Sequence, residues 1–163
     1  MALKHSMLAL ALVAAVPAVA SAAGSKPAKP ATSIAEAENA FARGVKAMEG
    51  KQWDDAVLAF RQVLELEPEL AEAHNNLGYC LRKTGAEHYD EALKAYNKAL
   101  ELDPKLAAAL HYRGTLHRLA GREAEAKADH ERLAKLDPNL AARLLEVIAT
   151  GVEPEGGDGI ASW

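Results

Sequence analysis

The chain has 163 residues, 50% of them apolar and 26% charged, with 19 Lys+Arg against 23 Asp+Glu and a formal net charge of −4. This mild acidity excludes non-specific nucleic-acid binding, which needs a basic stripe. The lone cysteine, Cys80, excludes an intramolecular disulfide, so apolar packing must hold the fold.

In chain order, residues 1–22 read as an export signal. Lys4 and His5 form a short basic region, and Met7 to Val16 is an unbroken apolar run. Pro17 breaks it, and Ala18-Val19-Ala20 or Ala20-Ser21-Ala22 offers the small-x-small cleavage pattern. The run is half the roughly 20 residues that a membrane-spanning helix needs. No stable membrane span is therefore expected after cleavage, and the absence of a cysteine behind the run disfavours a lipoprotein. Removing Lys4 with the signal takes the net charge to about −5. Residues 23–33, with Pro27 and Pro30, read as an extended linker.

Ser33 and Glu36 form a capping-box pattern, predicting a helix from near Ile34 to near Gly50. Further helices are predicted over about 53–66, 69–83, 88–102, 105–120 and 122–136. Asp103 and Asp137 each precede proline, a pattern that suits an N-cap followed by a first-turn residue. A last helix over about 139–149 follows from the spacing of Leu140, Leu144, Val147 and Ile148. Residues 151–163 hold four glycines, Pro154 and three acids, and are expected to form a mobile acidic tail.

Three segments end alike: Glu65-Leu66-Glu67-Pro68, Glu101-Leu102-Asp103-Pro104 and Lys135-Leu136-Asp137-Pro138, with prolines 36 and 34 residues apart. Upstream of each proline the same order recurs. Gly44, Gly78 and Gly114 stand where two helices cross, with Ala56, Ala92 and Ala126 expected to face them from the second helix. Phe60, Tyr96 and His130 follow, then Val63, Ala99 and Leu133. This ordered set resembles the tetratricopeptide repeat family over roughly residues 37 to 140. The second unit is longer by two residues, placed in its turn at Gly85-Ala86-Glu87-His88, where loop length costs little.

The resemblance implies an all-α fold: a right-handed superhelical solenoid of three helix-turn-helix units (about 37–70, 71–106 and 107–140). A capping helix over about 139–149 would complete a domain of residues 34–150. It also implies that the first helix of each pair lines a concave groove. The groove residues expected are Phe41, Val45 and Met48 from unit one, Asn75, Asn76, Tyr79 and Arg82 from unit two, and His111, Thr115 and Arg118 from unit three. Such a groove suits a peptide with an apolar anchor and an acidic or carboxylate group, since Arg82 and Arg118 can pair with a carboxylate. The acidic tail is itself a ligand of that kind. Some members of the family hold a C-terminal carboxylate in a two-carboxylate clamp. The matching positions here are Phe41, Val45, Asn76, Ala108 and Tyr112, and Asn76 alone fits, so that clamp is not expected.

Enzyme signatures are absent: there is no Gly-x-Ser-x-Gly, no phosphate-binding glycine loop and no His-Glu-x-x-His. No catalytic residue, cofactor or metal is expected. His117 and His130, at inward positions of unit three, could touch, yet no third ligand is evident and packing is the expected role. Cys80 is expected to be a small buried hydrophobe. The expected function is that of a non-catalytic scaffold or adaptor in the periplasm or outside the cell, holding a segment of another envelope protein. A self-associating structural subunit is the alternative, and a metal carrier resting on His117 and His130 a further one.

Overall fold

The computed structural model describes residues 31–153. Among them are seven α-helices: α1 Ala31–Glu49, α2 Trp53–Leu66, α3 Ala71–Thr84, α4 Tyr89–Leu102, α5 Ala107–Leu119, α6 Glu123–Leu133 and α7 Pro138–Thr150. None is long and apolar enough to cross a membrane. The signal, most of the linker and residues 154–163 of the tail lie outside the described residues.

Each helix buries one stripe. In α4 the buried residues are Ala92, Ala95, Tyr96, Ala99 and Leu100, the three-and-four spacing of a helix face turned to a core. Helices pair α1 with α2, α3 with α4 and α5 with α6, and each pair packs on the next. α7 packs on both α5 and α6, the place of the cap. One apolar cluster joins units one and two and reaches Tyr112 and Leu116. A second joins the end of α4 to unit three and to Leu144 and Ile148 of α7.

The close helix crossings fall at the three glycines, and the atoms that come nearest them are mostly of large side chains. A Cβ on Gly44 would lie 2.8 Å from the Phe60 ring, and one on Gly78 would lie 3.0 Å from the Tyr96 ring. Ala56, Ala92 and Ala126 are fully buried nearby. The Ala92 carbonyl lies 3.1 Å from the Cβ position of Gly78. In unit three the partner changes again. Gly114 is met by Leu144 of the cap at 2.7 Å and by Asp129, while His130 is only half-buried. At Gly114 the cap supplies the large side chain that Phe60 and Tyr96 supply in units one and two.

The helix ends correct three expectations. α1 is already helical at Ala31, so Ser33 stands inside it and does not cap it. Asp137 caps α7 as expected, its carboxylate accepting from the Leu140 amide at 2.9 Å with Pro138 as first residue. Asp103 does not cap α5. Its carboxylate accepts from the Lys105 amide at 2.9 Å and its carbonyl from Leu106 at 3.2 Å, closing a turn before the helix starts at Ala107. Two Asp-Pro steps alike in sequence therefore do different work, because α5 must first turn back onto the preceding unit. The third correction is that α6 stops at Leu133 and residues 134–136 form a turn.

The turns inside units one and three close in the same way. Gln52 donates its amide to Ala47 and Arg122 to His117, each at 2.8 Å. The left-handed residue is Gly121 in unit three (φ 75°) and Lys51 in unit one (φ 56°). In unit two the extra residues form a short 3-10 turn, Ala86–His88.

Candidate functional site

The inner face is built by the first helix of each pair, α1, α3 and α5. Its centre is aromatic. Tyr79 of α3 and Tyr112 of α5 meet edge to face with centroids 4.9 Å apart. Trp53 approaches Tyr79 at 5.9 Å, and His111 approaches Tyr112 at 5.1 Å. The Arg82 guanidinium lies 5.2 Å from the Tyr79 centroid and 5.8 Å from that of Tyr112, and the Lys83 ammonium lies 5.4 Å from Tyr79. These are cation–π distances, and they favour two positive charges on an aromatic floor.

A carboxylate sits on those charges. α7 ends at Thr150, and Gly151 takes the left-handed conformation (φ 72°) that turns the chain off the helix, its amide donating to Val147. Arg118 of α5 donates from Nε to the Ile148 carbonyl at 2.8 Å, holding that turn against the inner face. Two residues on, Glu153 accepts from Arg82 through both oxygens, at 2.8 and 2.9 Å, and from Lys83 Nζ at 3.0 Å. The Arg82 side chain is 2% exposed and that of Glu153 22%. Burial works against the Glu153 charge, but hydrogen bonds from Arg82 and Lys83 outweigh it and hold the carboxyl down at about 2. Burial also opposes the Arg82 charge, and the Glu153 carboxylate on its fork favours it. A bidentate arginine–carboxylate pair is among the stronger charge-assisted hydrogen bonds.

Around this pair lie buried polar atoms with no hydrogen-bond partner: Asn75 Oδ1, Arg82 Nε, His111 Nδ1 and Thr115 Oγ1. Asn75 spends its amide on Asn76 at 3.0 Å. Burial, then the charge of Arg143, push His111 down to about 4, so its ring is neutral at pH 7. Beside Lys83 a pocket of about 390 Å³ opens between Lys51–Asp55 and the end of α3.

The groove residues expected from sequence are thus placed as follows. Tyr79, Arg82 and His111 gather around Tyr112 and Arg118 meets the chain leaving α7, with Thr115 buried on α5 and Asn75 and Asn76 on the same helix as Arg82. All but Arg118 are buried rather than open. Phe41 and Met48 are buried in the first core cluster, Phe41 against Phe60 with centroids 5.4 Å apart, and half-buried Val45 packs on that cluster. An open apolar-to-basic surface is not what the chain forms. The first helices lock their aromatic rings together, and Ile148–Glu153 covers Arg118 and Arg82. Residues 151–153, expected to be mobile, are held in place.

Tyr112 was counted in the sequence only as a mismatch to the clamp, and Trp53 not at all. Both are singled out by ring contacts between units, which a single unit's pattern does not reveal. Among the described residues no three His, Cys, Asp or Glu side chains are placed to hold a metal. His117 is buried with Nδ1 unpartnered. Cys80 is fully buried, and burial pushes its thiol up to about 12, consistent with a packing role.

The tetratricopeptide repeat profile matches residues 71–106, and two further profiles of the same repeat match 47–85 and 95–128. The chain belongs to the tetratricopeptide repeat family. No curated protein matches it in sequence. Among solved structures, the OM64 TPR domain of Arabidopsis superposes with a TM-score of 0.67 at 24% identity, over 74% of this chain and 99% of that one. The second TPR domain of human RPAP3, solved with the HSP70 peptide SGPTIEEVD, gives 0.65 at 24% identity over 72% and 98%. The Yersinia enterocolitica type III secretion chaperone SycD, solved with a peptide of the translocator YopD, gives 0.62 at 18% identity over 70% and 92%. These likenesses are of fold.

Proposed function

We propose that this protein is a non-catalytic scaffold of the cell envelope that binds an acidic segment of another protein on its inner face. The observation that carries this reading is the double-arginine track. Arg118 and Arg82 hold the same position in successive units, and the inner face already grips a backbone carbonyl at one and a carboxylate at the other. An extended peptide offers the same two groups. The pocket beside Lys83 offers room for a neighbouring side chain. Solved neighbours of the fold hold peptides of partner proteins, which supports the same direction. The carboxylate here meets Arg82 and Lys83, not the clamp positions, where Ala108 and Tyr112 stand.

The envelope setting rests on Lys4, His5, the Met7–Val16 run and the small residues behind Pro17. Amino-terminal sequencing of the exported protein is expected to start at Ser21 or Ala23. A start at Met1 or Ala2 contradicts export by a cleaved signal.

The binding reading is tested by a photo-crosslinking residue at Val45, half-buried on the inner side of α1, in the native host. The expected adduct joins one acidic segment of a partner and disappears with Arg82→Glu. An adduct indifferent to Arg82→Glu, or one formed only from Leu58, which is 64% exposed on α2, overturns it.

A further inference from the structure

We infer that Gly151–Glu153 is a built-in ligand of the inner face, and that a partner reaches the Arg82–Lys83 site by displacing the Glu153 carboxylate with one of its own. This deepens the reading above and rests on it.

The contact has the features of a ligand in a site. Glu153 brings both oxygens to one guanidinium and shares one with Lys83, leaving it 22% exposed, while the arginine beneath it is almost wholly buried. The site itself is made by α3 and α5 with no help from the segment: Tyr79, Tyr112, Arg82 and Lys83 are all in rigid helices. The segment is hung differently. It leaves a helix through a left-handed glycine, and after Gly151 its ties to the inner face among the described residues are those of the Glu153 carboxylate. Arg118 secures the turn upstream, at Ile148, so the hinge stays in place when the carboxylate leaves. The groups that bear on Glu153 are Arg82 and Lys83 of α3, and Glu153 in turn bears on His111 of α5.

Tethering explains why the site is filled in the absence of a partner. A short link gives the attached ligand an effective concentration in the millimolar range, so even a weak carboxylate contact is occupied. An incoming peptide then competes, and its apparent dissociation constant is the intrinsic one divided by the fraction of molecules whose site is open. A partner must offer a carboxylate and a longer contact, for example into the pocket between Lys51–Asp55 and Lys83, to win.

The test uses the full chain and a labelled synthetic peptide of residues 151–163. NMR first follows the Glu153 carboxyl carbon against pH. Docking predicts a midpoint at least one unit below the ordinary glutamate value, and a midpoint at the ordinary value overturns the proposal. The peptide is then titrated into wild type, Glu153→Gln and Glu153→Gln/Arg82→Gln. The prediction is binding at least tenfold tighter to Glu153→Gln than to wild type, and loss of that gain in the double variant. Equal binding to wild type and Glu153→Gln, or none to either, overturns it. A partner still crosslinked at Val45 under those outcomes would leave the binding reading standing without the built-in ligand. A displaced peptide with no Arg82-dependent adduct would do the reverse.

Discussion

Two arginine–carboxylate pairs in this molecule look alike and are held differently. Arg113 of α5 grips Asp129 of α6 through Nε at 2.9 Å and an Nη at 2.6 Å, and Asn97 of α4 accepts from the same guanidinium at 2.7 Å. Arg82 of α3 grips Glu153 end-on, through its two Nη atoms at 2.8 and 2.9 Å. In the first pair both partners are fixed in helices of one unit, and Asp129 is 3% exposed at the side chain. In the second the arginine is fixed and the acid hangs on a segment beyond the last helix. A buried pair whose members cannot move apart belongs to the fold, because breaking it strands a charge away from water. A pair whose acid can lift off is a binding site with its ligand present. Both pairs are bidentate and short; what decides their roles is the mounting of each partner.

The largest expected effect sharpens the contrast by removing the mount. Leu144→Ala empties the space over Gly114 and loosens α7, from which Glu153 hangs; it should cost roughly 4 kcal/mol by urea unfolding. Asp129→Ala strands Arg113, and with Asn97 as its remaining partner the cost should be about 3 kcal/mol, read from the urea midpoint.

A third test uses acid. His111 is held at about 4, below its ordinary value, so the unfolded chain takes up a proton first as pH falls. That contribution is complete above pH 6.5 and is lost as pH falls from 6.5 to 4, amounting to about 3 kcal/mol. Unfolding at pH 7.5 and pH 4 should show a smaller loss in His111→Asn than in wild type.

The smallest stability effect belongs to the second pair. Glu153→Gln should cost about 1.4 to 2 kcal/mol, the docking free energy that a one-unit midpoint shift and a tenfold peptide gain imply, and no more, because the segment lifts and water reaches Arg82. A loss as large as that of Asp129→Ala would erase the distinction between the pairs.

Much of this was legible in the sequence because repetition restates each message. Three prolines, three glycines and three large residues in register define the units, and the capping helix follows from Leu140, Leu144, Val147 and Ile148. The inner-face positions Tyr79, Arg82, His111 and Arg118 could be named because a helix of known register fixes which side chains turn inward. What could not be read were contacts between distant residues. Leu144 replacing an aromatic over Gly114, and Tyr112 meeting Tyr79, depend on how one unit is set on the next. Glu153 was visible as an acid in an acidic tail. Its seat on Arg82 follows from the left-handed turn at Gly151 and the Arg118 bond to Ile148, and neither has a local pattern. Asp103 and Asp137 show the same limit, since one Asp-Pro step caps a helix and the other closes a turn.

The most direct test of the inner face as the binding surface is chemical-shift mapping of Glu153→Gln with the 151–163 peptide. The account predicts that the Arg82 Nε signal and the Tyr79 and Tyr112 ring signals shift together and saturate at one peptide per chain. Shifts confined to the outer face around Leu58 and Arg61, with Arg82 unmoved, would contradict it.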